Sequence, residues 1–488
     1  MLVVGIDLGT QSLKAVVCDE AMNVIGSHAV PCATAHPRPG WAEQDPRAWE
    51  QALAPAIAGA LADANVTPRD IAALAIAGQL DGCVAVDAHG APLHAALIWQ
   101  DRRAIEHTSR VAPARIFELT GQVADASHMA PKIAWLRAQR IRAARYHQPV
   151  SYLVERITAA AALDPSHAST TMLYDLMGKV WAAELLEAYE LDAAQLPTLL
   201  PATAQAGTLT PAGAELTGLV AGTPVAVGTG DDFATPLGAG ITSSASIACT
   251  LGTAEVVGCV ADMPVFDVQA IRGTADPWRA IPEPMVETHA YPTGAYFVEN
   301  PGWLSGGAVR WAIETFGFAD EAQFDAAAAS IAHTDVTFVP ALAGGMTPRW
   351  RPHARGALYG LTPAHGREHI ARAILEGLAF GSRDVVQRLH ALGLPAREVL
   401  VLGGGGRSTV WMQIRANALG LAHAVAARTD TCAIGAAMLA AAAIGKHDLQ
   451  IATASSQRFE PKASLDDEYA RYRTVVTQLA PLGDQPWA

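Results

Sequence analysis

Hydrophobic residues at the start of the chain form short runs separated by polar and glycine-containing turns. The segment GIDLGTQSLKAVVCDEAMNVIGSHAV has apolar runs on both sides of LGTQ and of DEAMN. Runs of this length, rich in β-branched residues and bounded by turn residues, indicate strands. We therefore predict a β-hairpin that continues into a third strand.

The same pattern returns near the middle of the chain. The segment SIACTLGTAEVVGCVA has an apolar run, the turn Leu251-Gly252-Thr253 and a second apolar run, and it parallels Leu8-Gly9-Thr10. Chance recurrence of a common tripeptide is the alternative, because short turn signals repeat in many chains. The repeat predicts two similar halves that each begin with a hairpin whose turn exposes backbone N–H groups.

Strand and helix patterns alternate between and after these hairpins. IAALAIAGQ and PVAVGTG are typical of buried strands, whereas PRAWEQALAPAIAGALADA and VWAAELLEAYEL have helical periodicity. Further on, REHIARAILEGLAFGSRDVVQRLHAL predicts a helix, EVLVLGGGG a strand and STVWMQIRANALG another helix. This order predicts an α/β protein with a boundary between two lobes in the glycine-rich stretch 238–244.

Composition favours a globular protein of two or more domains. The chain has 488 residues, of which 51% are hydrophobic and 17% charged. Its net charge of −13 lacks clusters of Lys and Arg, so we expect no nucleic acid partner. The six cysteines form no CxxC pair, which argues against a disulfide framework or zinc site and fits a reducing cytoplasm.

No segment predicts membrane insertion. The start MLVVGIDLGT lacks a basic region, and Asp7 interrupts its apolar run, so it does not resemble a signal peptide. The most apolar later segment, CAIGAAMLAAAAIG, is shorter than a membrane span and predicts a buried helix.

Two glycine-containing turns are candidate nucleotide contacts. An acid before a tight turn, as in Asp7-Leu8-Gly9-Thr10-Gln11, can bind a hydrated Mg²⁺ and a phosphate, although an ordinary hairpin turn is the alternative. The cluster of glycines from Gly403 to Gly406 lies between a strand and a helix, where a nucleotide can approach the backbone. It lacks the spacing of a P-loop.

Polar residues at strand ends are the candidates for binding a second ligand. Gln79 and Asp81 in GQLDG, and Trp99, Asp101 and Arg103 in IWQDRR, follow strand-like runs. Ligands of α/β proteins bind at such ends, although solvated loops are the alternative. The absence of HExxH, paired Cys/His spacing and GxSxG argues against metalloenzymes and hydrolases, and we treat the sixteen histidines as surface or satisfied core residues.

A set of motifs, taken in order, resembles the conserved segments of the FGGY carbohydrate kinases over roughly residues 1–450. They are GIDLGTQSLKAVVCD, PGWAEQDPRAWE, GQLDG, IWQDRR, GTGDD, TLGT, TPRWRPHARGALYGLT, RAILEGLAF and LGGGGRSTVWMQIRANALG. The resemblance implies two ribonuclease-H-like, actin-like ATPase domains that flank a catalytic cleft. It implies an N-terminal sugar-binding domain over residues 1–241 and a C-terminal nucleotide-binding domain over 242–488.

The resemblance also assigns roles to residues around ATP and Mg²⁺. It implies that Asp7 binds the metal, that the first hairpin turn faces the phosphates and that the second meets them from the other lobe, with the adenosine near the glycine cluster. The implied nucleotide contacts are Gly9, Thr10, Gln11, Gly252, Thr253, Gly404, Gly405, Arg407, Gln413 and Asn417. A homodimer is an expectation from the family.

By the same resemblance, the acid of the GDD segment that acts as catalytic base is Asp231. A carboxylate at hydrogen-bond distance can accept the proton of a sugar hydroxyl as the phosphoryl group arrives. Asp232 would bind a sugar hydroxyl or orient its neighbour, and repulsion between the two acids would raise one pKa. The implied acceptor contacts are Gln79, Leu80, Asp81, Trp99, Asp101 and Asp232, which would form an acidic pocket suited to a neutral polyol or ketose.

Within the family we expect a xylulose kinase that converts D-xylulose to D-xylulose 5-phosphate. Such kinases usually have Met-His where this chain has Leu80-Asp81, and glycerol kinases have Arg-Glu, so Leu80 argues against glycerol. Kinases of gluconate, of ribulose or another ketose, or of a polyol are alternatives, as is an actin-like ATPase or interaction protein. The usual GERTPH segment is GGMTPR here, and Asp430 replaces the common Glu before AIGAA.

Overall fold

The computed structural model describes residues 1–267, 284–345, 347, 351 and 353–484. Met346, Pro348 and Arg349 of the GGMTPR segment lie outside the described residues. The chain divides into two compact units: unit 1 comprises Met1–Thr242, Thr288–Phe297 and Asp430–Thr453, and unit 2 comprises Ser243–Glu287, Val298–Thr429 and Ala454–Ala488. The first segment of unit 1 ends beside the expected boundary, and two later segments also belong to this unit.

Up to Thr242 four strands have seven or eight residues and the others have two to four. They are β1 (Leu2–Leu8), β2 (Ser12–Cys18), β3 (Val24–Pro31), β4 (Glu43–Gln44), β5 (Ile71–Gly78), β6 (Val84–Val86), β7 (Ala96–Leu97), β8 (Arg145–His147), β9 (Ala162–Leu163), β10 (Tyr174–Asp175), β11 (Val180–Trp181), β12 (Thr198–Leu199), β13 (Gln205–Thr208), β14 (Pro224–Ala226) and β15 (Thr229–Gly230). The α-helices are α1 (Pro46–Asp63), α2 (Pro113–Thr120), α3 (Met129–Ala138), α4 (Pro149–Thr158), α5 (Pro165–Ala168), α6 (Ala183–Ala188), α7 (Pro211–Thr217) and α8 (Asp231–Gly238).

The rest of the chain begins with a second hairpin. The strands after Thr242 are β16 (Ser246–Leu251), β17 (Ala254–Ala261), β18 (Glu287–Ala290), β19 (Tyr296–Leu304), β20 (Thr337–Val339), β21 (Ala357–Tyr359), β22 (Glu398–Leu402), β23 (Ala422–Ala426) and β24 (Ser455–Phe459), and β16 and β17 form the hairpin. The α-helices of the same part of the chain are α9 (Gly306–Thr315), α10 (Glu321–Ala329), α11 (Arg367–Ala391), α12 (Thr409–Leu419), α13 (Thr431–Ala443) and α14 (Asp466–Leu479).

The two large sheets repeat one topology. The first has the order β13-β14-β5-β1-β2-β3, and the second has β24-β23-β22-β16-β17-β19 followed by β18. In both, the hairpin's first strand pairs in parallel with a later strand, β5 or β22, and an antiparallel strand, β13 or β24, follows at the edge. The predicted hairpins and the predicted repeat of two halves are therefore confirmed.

Two predicted segments fold differently from their simple pattern. Only Ala183–Ala188 of VWAAELLEAYEL is helical, because Val180 and Trp181 pair with β10 instead. PVAVGTG forms two strands, β14 and β15, separated at Gly228. Gly228 has φ +77°, and a Cβ atom there would lie 2.0 Å from the carbonyl oxygen of Ile76, so only glycine fits.

The segment CAIGAAMLAAAAIG forms the buried helix that its composition predicted. This helix, α13, belongs to unit 1 and packs against β1, β5 and α8. Its close approach depends on small residues, because a Cβ atom on Gly5 would lie 1.9 Å from the carbonyl oxygen of Ala433 and one on Gly238 would lie 1.9 Å from that of Thr431. None of the described helices is long and apolar enough to cross a membrane. All six cysteines are buried, and none of them forms a disulfide in the described part of the chain.

Candidate active site

Three parallel strands of unit 1 end at one edge of the first sheet. β1 and β15 both pair in parallel with β5, and Leu8, Gly78 and Gly230 lie at the same level. The carboxyl ends of parallel strands are where α/β proteins bind ligands. The register therefore gathers the predicted residues at the ends of these strands, namely Asp7, Gln79, Leu80, Asp81, Asp231 and Asp232.

Asp231 and Asp232 are the first residues of α8, directly after β15. Burial raises the pKa of Asp231 well above its usual range, and the charges of Asp232 and Asp7 raise it further. Burial, aided by the charge of Asp81, also raises the pKa of Asp232 to about 6. The backbone N–H of Asp232 donates to Oδ1 of Asp231 over 3.1 Å. Because a raised pKa makes a carboxylate a stronger base, Asp231 is suited to accept a proton from a hydroxyl group.

Leu80 packs on the turn that precedes Asp231. A Cβ atom on Gly230 would come within 1.9 Å of Leu80 Cδ2, so glycine is the residue that leaves room for this side chain. Leu80 is buried and carries no hydrogen-bonding group in its side chain. It therefore forms an apolar wall beside Asp231.

Gln79 is buried and uses only one half of its side-chain amide. Its Nε2 donates to Oε1 of Gln44 over 2.8 Å, and Trp49 Nε1 donates to the same oxygen over 3.1 Å. Gln44 Nε2 donates in turn to the carbonyl oxygen of Thr10 over 2.6 Å. Within the described residues Gln79 Oε1 has no hydrogen-bond partner. A buried acceptor without a donor is a group that a bound ligand or water can complete.

Asp81 has an uncommon backbone conformation for a residue other than glycine, with φ +60°. His128 Nδ1 lies 3.1 Å from Oδ1 of Asp81, and Lys132 Nζ donates to its carbonyl oxygen over 2.8 Å. Burial favours a higher pKa for Asp81, but the charges of His128 and Lys132 outweigh burial and hold the pKa below its usual range. Burial lowers the pKa of Lys132 to about 8. Asp81 is therefore present as a carboxylate at neutral pH.

Trp99 and Asp101 occupy different environments. Trp99 is 40% exposed, and its Nε1 donates to Thr10 Oγ1 over 2.9 Å. Asp101 is fully buried, and its Oδ2 accepts from the backbone N–H of Ala42 over 2.7 Å and from Arg103 over 2.7 Å. Protein groups therefore surround the Asp101 carboxylate, whereas the Trp99 ring is accessible to a ligand.

The first hairpin turn carries Gly9, Thr10 and Gln11 between β1 and β2. Gly9 N–H donates to the carbonyl oxygen of Ser12 over 3.0 Å, which closes the turn. Gln11 is exposed. Thr10 connects the turn to two other predicted segments, because its hydroxyl accepts a hydrogen bond from Trp99 and its carbonyl oxygen accepts one from Gln44.

Asp7 lies beside this turn on β1, opposite Lys14 on β2. Burial raises the pKa of Asp7, and a hydrogen bond with Cys432 and the charge of Lys14 partly offset the effect. Lys14 Nζ binds Asp430 Oδ1 over 2.8 Å, so the departure from the family's Glu at that position still provides a carboxylate. All four residues belong to unit 1.

In unit 2, two of the predicted glycines are not required by the protein's own packing. A Cβ atom on Gly252 would meet only the carbonyl oxygen of Ala254, at 3.7 Å, and one on Gly404 would meet only the end of the Arg407 side chain, at 3.3 Å. By contrast, a Cβ atom on Gly405 would lie 2.4 Å from Leu251 Cγ. Gly252 and Gly404 therefore leave backbone open where a ligand can approach.

Gln413 and Asn417 on α12 already have partners within unit 2. Gln413 Nε2 donates to Asn417 Oδ1 over 3.0 Å and to the carbonyl oxygen of Glu460 over 2.9 Å. Asn417 Oδ1 also accepts from the backbone N–H of Lys462 over 2.8 Å. These bonds attach the segment after β24 to α12. Arg407 is exposed.

The residues present fit a nucleotide with Mg²⁺. Among the described residues, no group of three or more His, Cys, Asp or Glu side chains is arranged to bind a metal ion. Mg²⁺ usually keeps several waters and takes one or two carboxylates together with substrate phosphates, which the single carboxylate of Asp7 can satisfy. The open backbone at Gly252 and Gly404 is suited to phosphates or a ribose.

Sequence reasoning missed His128, Lys132 and Gln44. The sequence predicts surface or satisfied core positions for the sixteen histidines. His128 is buried, but it contacts Asp81, a predicted site residue. Lys132 stands alone in the apolar segment MAPKIAWL, and a lone lysine on an apolar helix is the signal that could have identified it. Gln44 lies in PGWAEQDPRAWE, a motif that contributes to the family resemblance but assigns no role to Gln44.

Comparison with known proteins supports this assignment. Residues 2–238 match the N-terminal domain of the FGGY family of carbohydrate kinases, and residues 247–444 match its C-terminal domain. The chain is 31% identical over 429 residues to a xylulose kinase of Escherichia coli (strain K12), covering 86% of this chain and 84% of that one. It is 34% identical over 468 residues to a glycerol kinase of Bordetella parapertussis, covering 91% and 89% of the two chains.

The fold agrees with a solved structure over nearly its full length. A xylulose kinase of Rhodospirillum rubrum superposes with a TM-score of 0.87 at 25% identity, covering 99% of this chain and 100% of that one. The predicted two-domain α/β fold of the actin-like ATPase and ribonuclease-H type is confirmed. Kinases of the matched family use ATP and transfer a phosphoryl group to an alcohol acceptor. The chain belongs to the FGGY family of carbohydrate kinases.

Proposed function

We propose that this kinase transfers a phosphoryl group from ATP to the terminal hydroxyl of a neutral ketose or polyol, with D-xylulose as the first candidate and D-xylulose 5-phosphate as product. The observation that carries the proposal is the placement of Asp231. It follows β15 at the ligand-binding edge of the sheet, and burial together with Asp232 and Asp7 holds its pKa well above the usual range. Because a raised pKa makes a carboxylate a stronger base, this side chain is suited to accept the proton of an acceptor hydroxyl.

In the proposed mechanism, Asp231 accepts the proton of the acceptor hydroxyl. Leu80 excludes water on one side of Asp231, which strengthens electrostatic interactions there. Mg²⁺, held by Asp7 and the phosphates, would neutralise charge on the transferred group. In unit 1, the backbone and hydroxyl groups of Gly9 and Thr10 are the proposed phosphate contacts. Considered by itself, unit 2 offers Gly252 and Thr253 for the same role.

The proposed adenosine contacts all belong to unit 2. We propose that the open backbone at Gly404, the neighbouring Gly405 and the exposed Arg407 contact the adenosine, with Gln413 and Asn417 supporting that loop from α12. Gln11, exposed at the first turn, would contact the phosphates. Alignment by these groups is the main source of rate acceleration in phosphoryl transfer, because the reaction needs little covalent chemistry from the protein.

The acceptor site favours an uncharged substrate. Asp81, Asp231 and Asp232 interact electrostatically, and Gln79 contributes a further buried acceptor. Carboxylates repel an anionic acceptor such as gluconate and accept hydrogen bonds from sugar hydroxyls. The exposed ring of Trp99 provides an apolar face for a sugar. We propose that Asp101 acts by anchoring the loop of Trp99.

The choice between xylulose and glycerol rests on Leu80. Relatives named for each substrate are about equally similar to this chain. Leu80 offers no hydrogen bond, so a small triol would lose a contact that a longer ketose can replace through Asp81 and Trp99. We therefore propose that D-xylulose is phosphorylated with a higher kcat/KM than glycerol.

A coupled assay of ADP release with D-xylulose, D-ribulose, glycerol, gluconate and no acceptor tests the proposal. We expect strong stimulation by a neutral ketose and little by gluconate. Turnover that is independent of any acceptor would refute the kinase assignment, and stimulation by glycerol or gluconate alone would refute the substrate assignment.

The variant Asp231→Asn tests the proposed base. Loss of general-base catalysis should lower kcat by roughly 10²–10⁴-fold. ATP binding, measured by calorimetry, should be retained. The matched control is Asp175→Asn, because within the described residues the Asp175 carboxylate accepts from backbone N–H groups in the turn after β10. Near-normal turnover of Asp231→Asn would remove this residue as the base.

A further inference from the structure

We propose that His128 is a positioning residue for acceptor binding: as an imidazolium it orients the Asp81 carboxylate and keeps it charged for hydrogen bonds to the acceptor's hydroxyl groups. This inference rests on the proposed function, because it assigns Asp81 to the acceptor. His128 precedes α3, a helix of unit 1 that sequence reasoning had not connected to the site.

Both ring nitrogens of His128 face oxygen atoms. Nε2 lies 3.1 Å from the carbonyl oxygen of Val123. Nδ1 lies 3.1 Å from Asp81 Oδ1 and 3.0 Å from the carbonyl oxygen of Thr170. A neutral ring has one N–H group and would place a lone pair against at least one set of these oxygens, whereas an imidazolium donates on both sides.

One neighbouring group favours the neutral ring. Gln122 Nε2 lies 3.2 Å from His128 Nδ1, and its orientation is fixed because Gln122 Oε1 accepts from the backbone N–H of Met172 over 2.9 Å. This amide would donate to an unprotonated Nδ1. Against it stand two oxygens at shorter distances, one of which belongs to a carboxylate. The two oxygens together outweigh the single amide, so the imidazolium is the form that the contacts favour.

The charged groups around His128 come from several elements. Asp81 lies after β5, and Asp125 lies before α3. Lys132 lies on α3, and His289 on β18 also interacts electrostatically with the His128 ring. Asp125 is paired with Arg102, which offsets its charge. Burial lowers the pKa of His289 to about 4, so this ring is neutral at physiological pH.

Lys132 donates its hydrogen bonds to the backbone of the loop, whereas it acts on the Asp81 carboxylate only through its charge. Its side chain is fully buried, and Nζ donates to the carbonyl oxygens of Asp81 and Ser127. These bonds hold Asp81 in its left-handed conformation, which costs free energy unless the surroundings enforce it. The backbone is thus set by Lys132 and the side chain by His128, so loss of His128 should affect the Asp81 carboxylate without unfolding the loop.

An Asp81 carboxylate that is oriented and charged contributes to binding of the acceptor and not to phosphoryl transfer itself. Removal of its partner therefore raises the KM of the acceptor while kcat at saturating acceptor and the KM of ATP stay nearly constant. As pH rises and the imidazolium loses its proton, the same rise in acceptor KM appears in the unmodified protein.

The kinetic test compares His128→Leu with His128→Gln. The leucine variant removes every donor, and we expect acceptor KM to rise about 10- to 100-fold, as for loss of a hydrogen bond to a charged group. The glutamine variant keeps a neutral donor, so we expect a rise of about threefold in acceptor KM. We also expect a weaker alkaline dependence of acceptor KM, because Lys132, whose pKa is lowered to about 8 by burial, still titrates beside Asp81. The matched control is His147→Gln, another buried histidine of unit 1, which contacts Ser151 and Glu155.

The two outcomes are distinct. If His128 has a purely structural role, its variants contain less folded protein. The apparent kcat then falls, and the KM of the acceptor stays unchanged. That result, or equal effects in His128→Leu and His147→Gln, overturns the inference.

A measurement that needs no activity separates this inference from the proposed function. In protein labelled with ¹⁵N-histidine, the His128 signals, assigned by their loss in His128→Gln, should show both nitrogens protonated at pH 7. In Asp81→Asn the ring should become neutral at a lower pH. A neutral ring at pH 7 in the unmodified protein overturns the inference even if the protein phosphorylates sugars, whereas an imidazolium in a protein without kinase activity refutes only the proposed function.

Discussion

Trp99 Nε1 donates a hydrogen bond to Thr10 Oγ1 over 2.9 Å, which joins a residue predicted to contact the acceptor to one predicted to contact the phosphates. The Thr10 hydroxyl accepts this bond, so its own hydrogen remains available to donate to a phosphate oxygen. The two sides of the proposed site therefore share one hydroxyl group in unit 1.

Substitution of Trp99 by Phe keeps an aromatic face but removes the donor. We expect kcat/KM to fall about 2- to 10-fold, the effect of one lost neutral hydrogen bond, because the Thr10 hydroxyl can then rotate. Steady-state kinetics with both substrates measure the effect. Trp181→Phe is the control, because Trp181 Nε1 donates to the carbonyl oxygen of Pro197 instead. Equal losses in the two variants would contradict a specific role for the bond.

The charge of Asp232 tunes the proposed base. Burial is the main cause of the raised pKa of Asp231, and the charge of Asp232 is the next. Asp231 must be deprotonated to act, so kcat/KM rises with pH through its pKa. In Asp232→Asn the pKa of Asp231 falls, and the acidic limb of the pH profile should move to lower pH. An unchanged or upward-shifted limb would show that the two carboxylates do not interact in the working enzyme.

Leu80 and Gly230 form a packing pair that can be tested by suppression. Gly230 has φ −74° and ψ 155°, which alanine adopts readily, so Gly230→Ala acts through its Cβ contact with Leu80 at 1.9 Å. Overpacking of this kind displaces side chains at a cost of about 1–3 kcal/mol. We expect kcat/KM to fall about tenfold or more, and Leu80→Ala in the same chain to restore most of it.

The test is a double-mutant cycle, in which kcat/KM is measured for the unmodified protein, for both single variants and for the double variant. Leu80→Ala alone serves as the control for loss of the apolar wall. If the losses in the two single variants simply add in the double variant, the contact between Leu80 and Gly230 does not matter for activity.

Much of the fold could be predicted from sequence because its strands are strongly patterned. Both hairpins, the repeat and the buried helix α13 follow from apolar runs and glycine turns. The sequence does not predict that α13 belongs to unit 1. Its position depends on contacts between elements far apart in the chain: Gly5 lies against the backbone of α13, and Gly435 of α13 lies against the backbone of α8.

The site was predictable only where residues follow strands. Asp231 and Asp81 lie at strand ends, and the sequence pattern marks those ends. His128 and Lys132 lie on a segment with no motif, and their proximity to Asp81 results from tertiary packing across 47 and 51 residues. The sequence also does not predict that Asp101 is buried, because an acid after a strand can face either a ligand or an arginine.

The glycines of unit 2 separate a nucleotide-binding role from a packing role. Gly404→Ala adds a methyl group whose nearest neighbour is the exposed end of the Arg407 side chain, so the free energy of unfolding should be nearly unchanged. If the nucleotide approaches this backbone, the same methyl group should raise the KM of ATP about tenfold, which corresponds to about 1.4 kcal/mol. Gly405→Ala is the contrasting variant, because its Cβ atom would clash with Leu251 and lower stability. Denaturant unfolding and ATP titration of both variants give the comparison, and an unchanged KM for ATP in Gly404→Ala would show that the nucleotide does not contact this loop at Gly404.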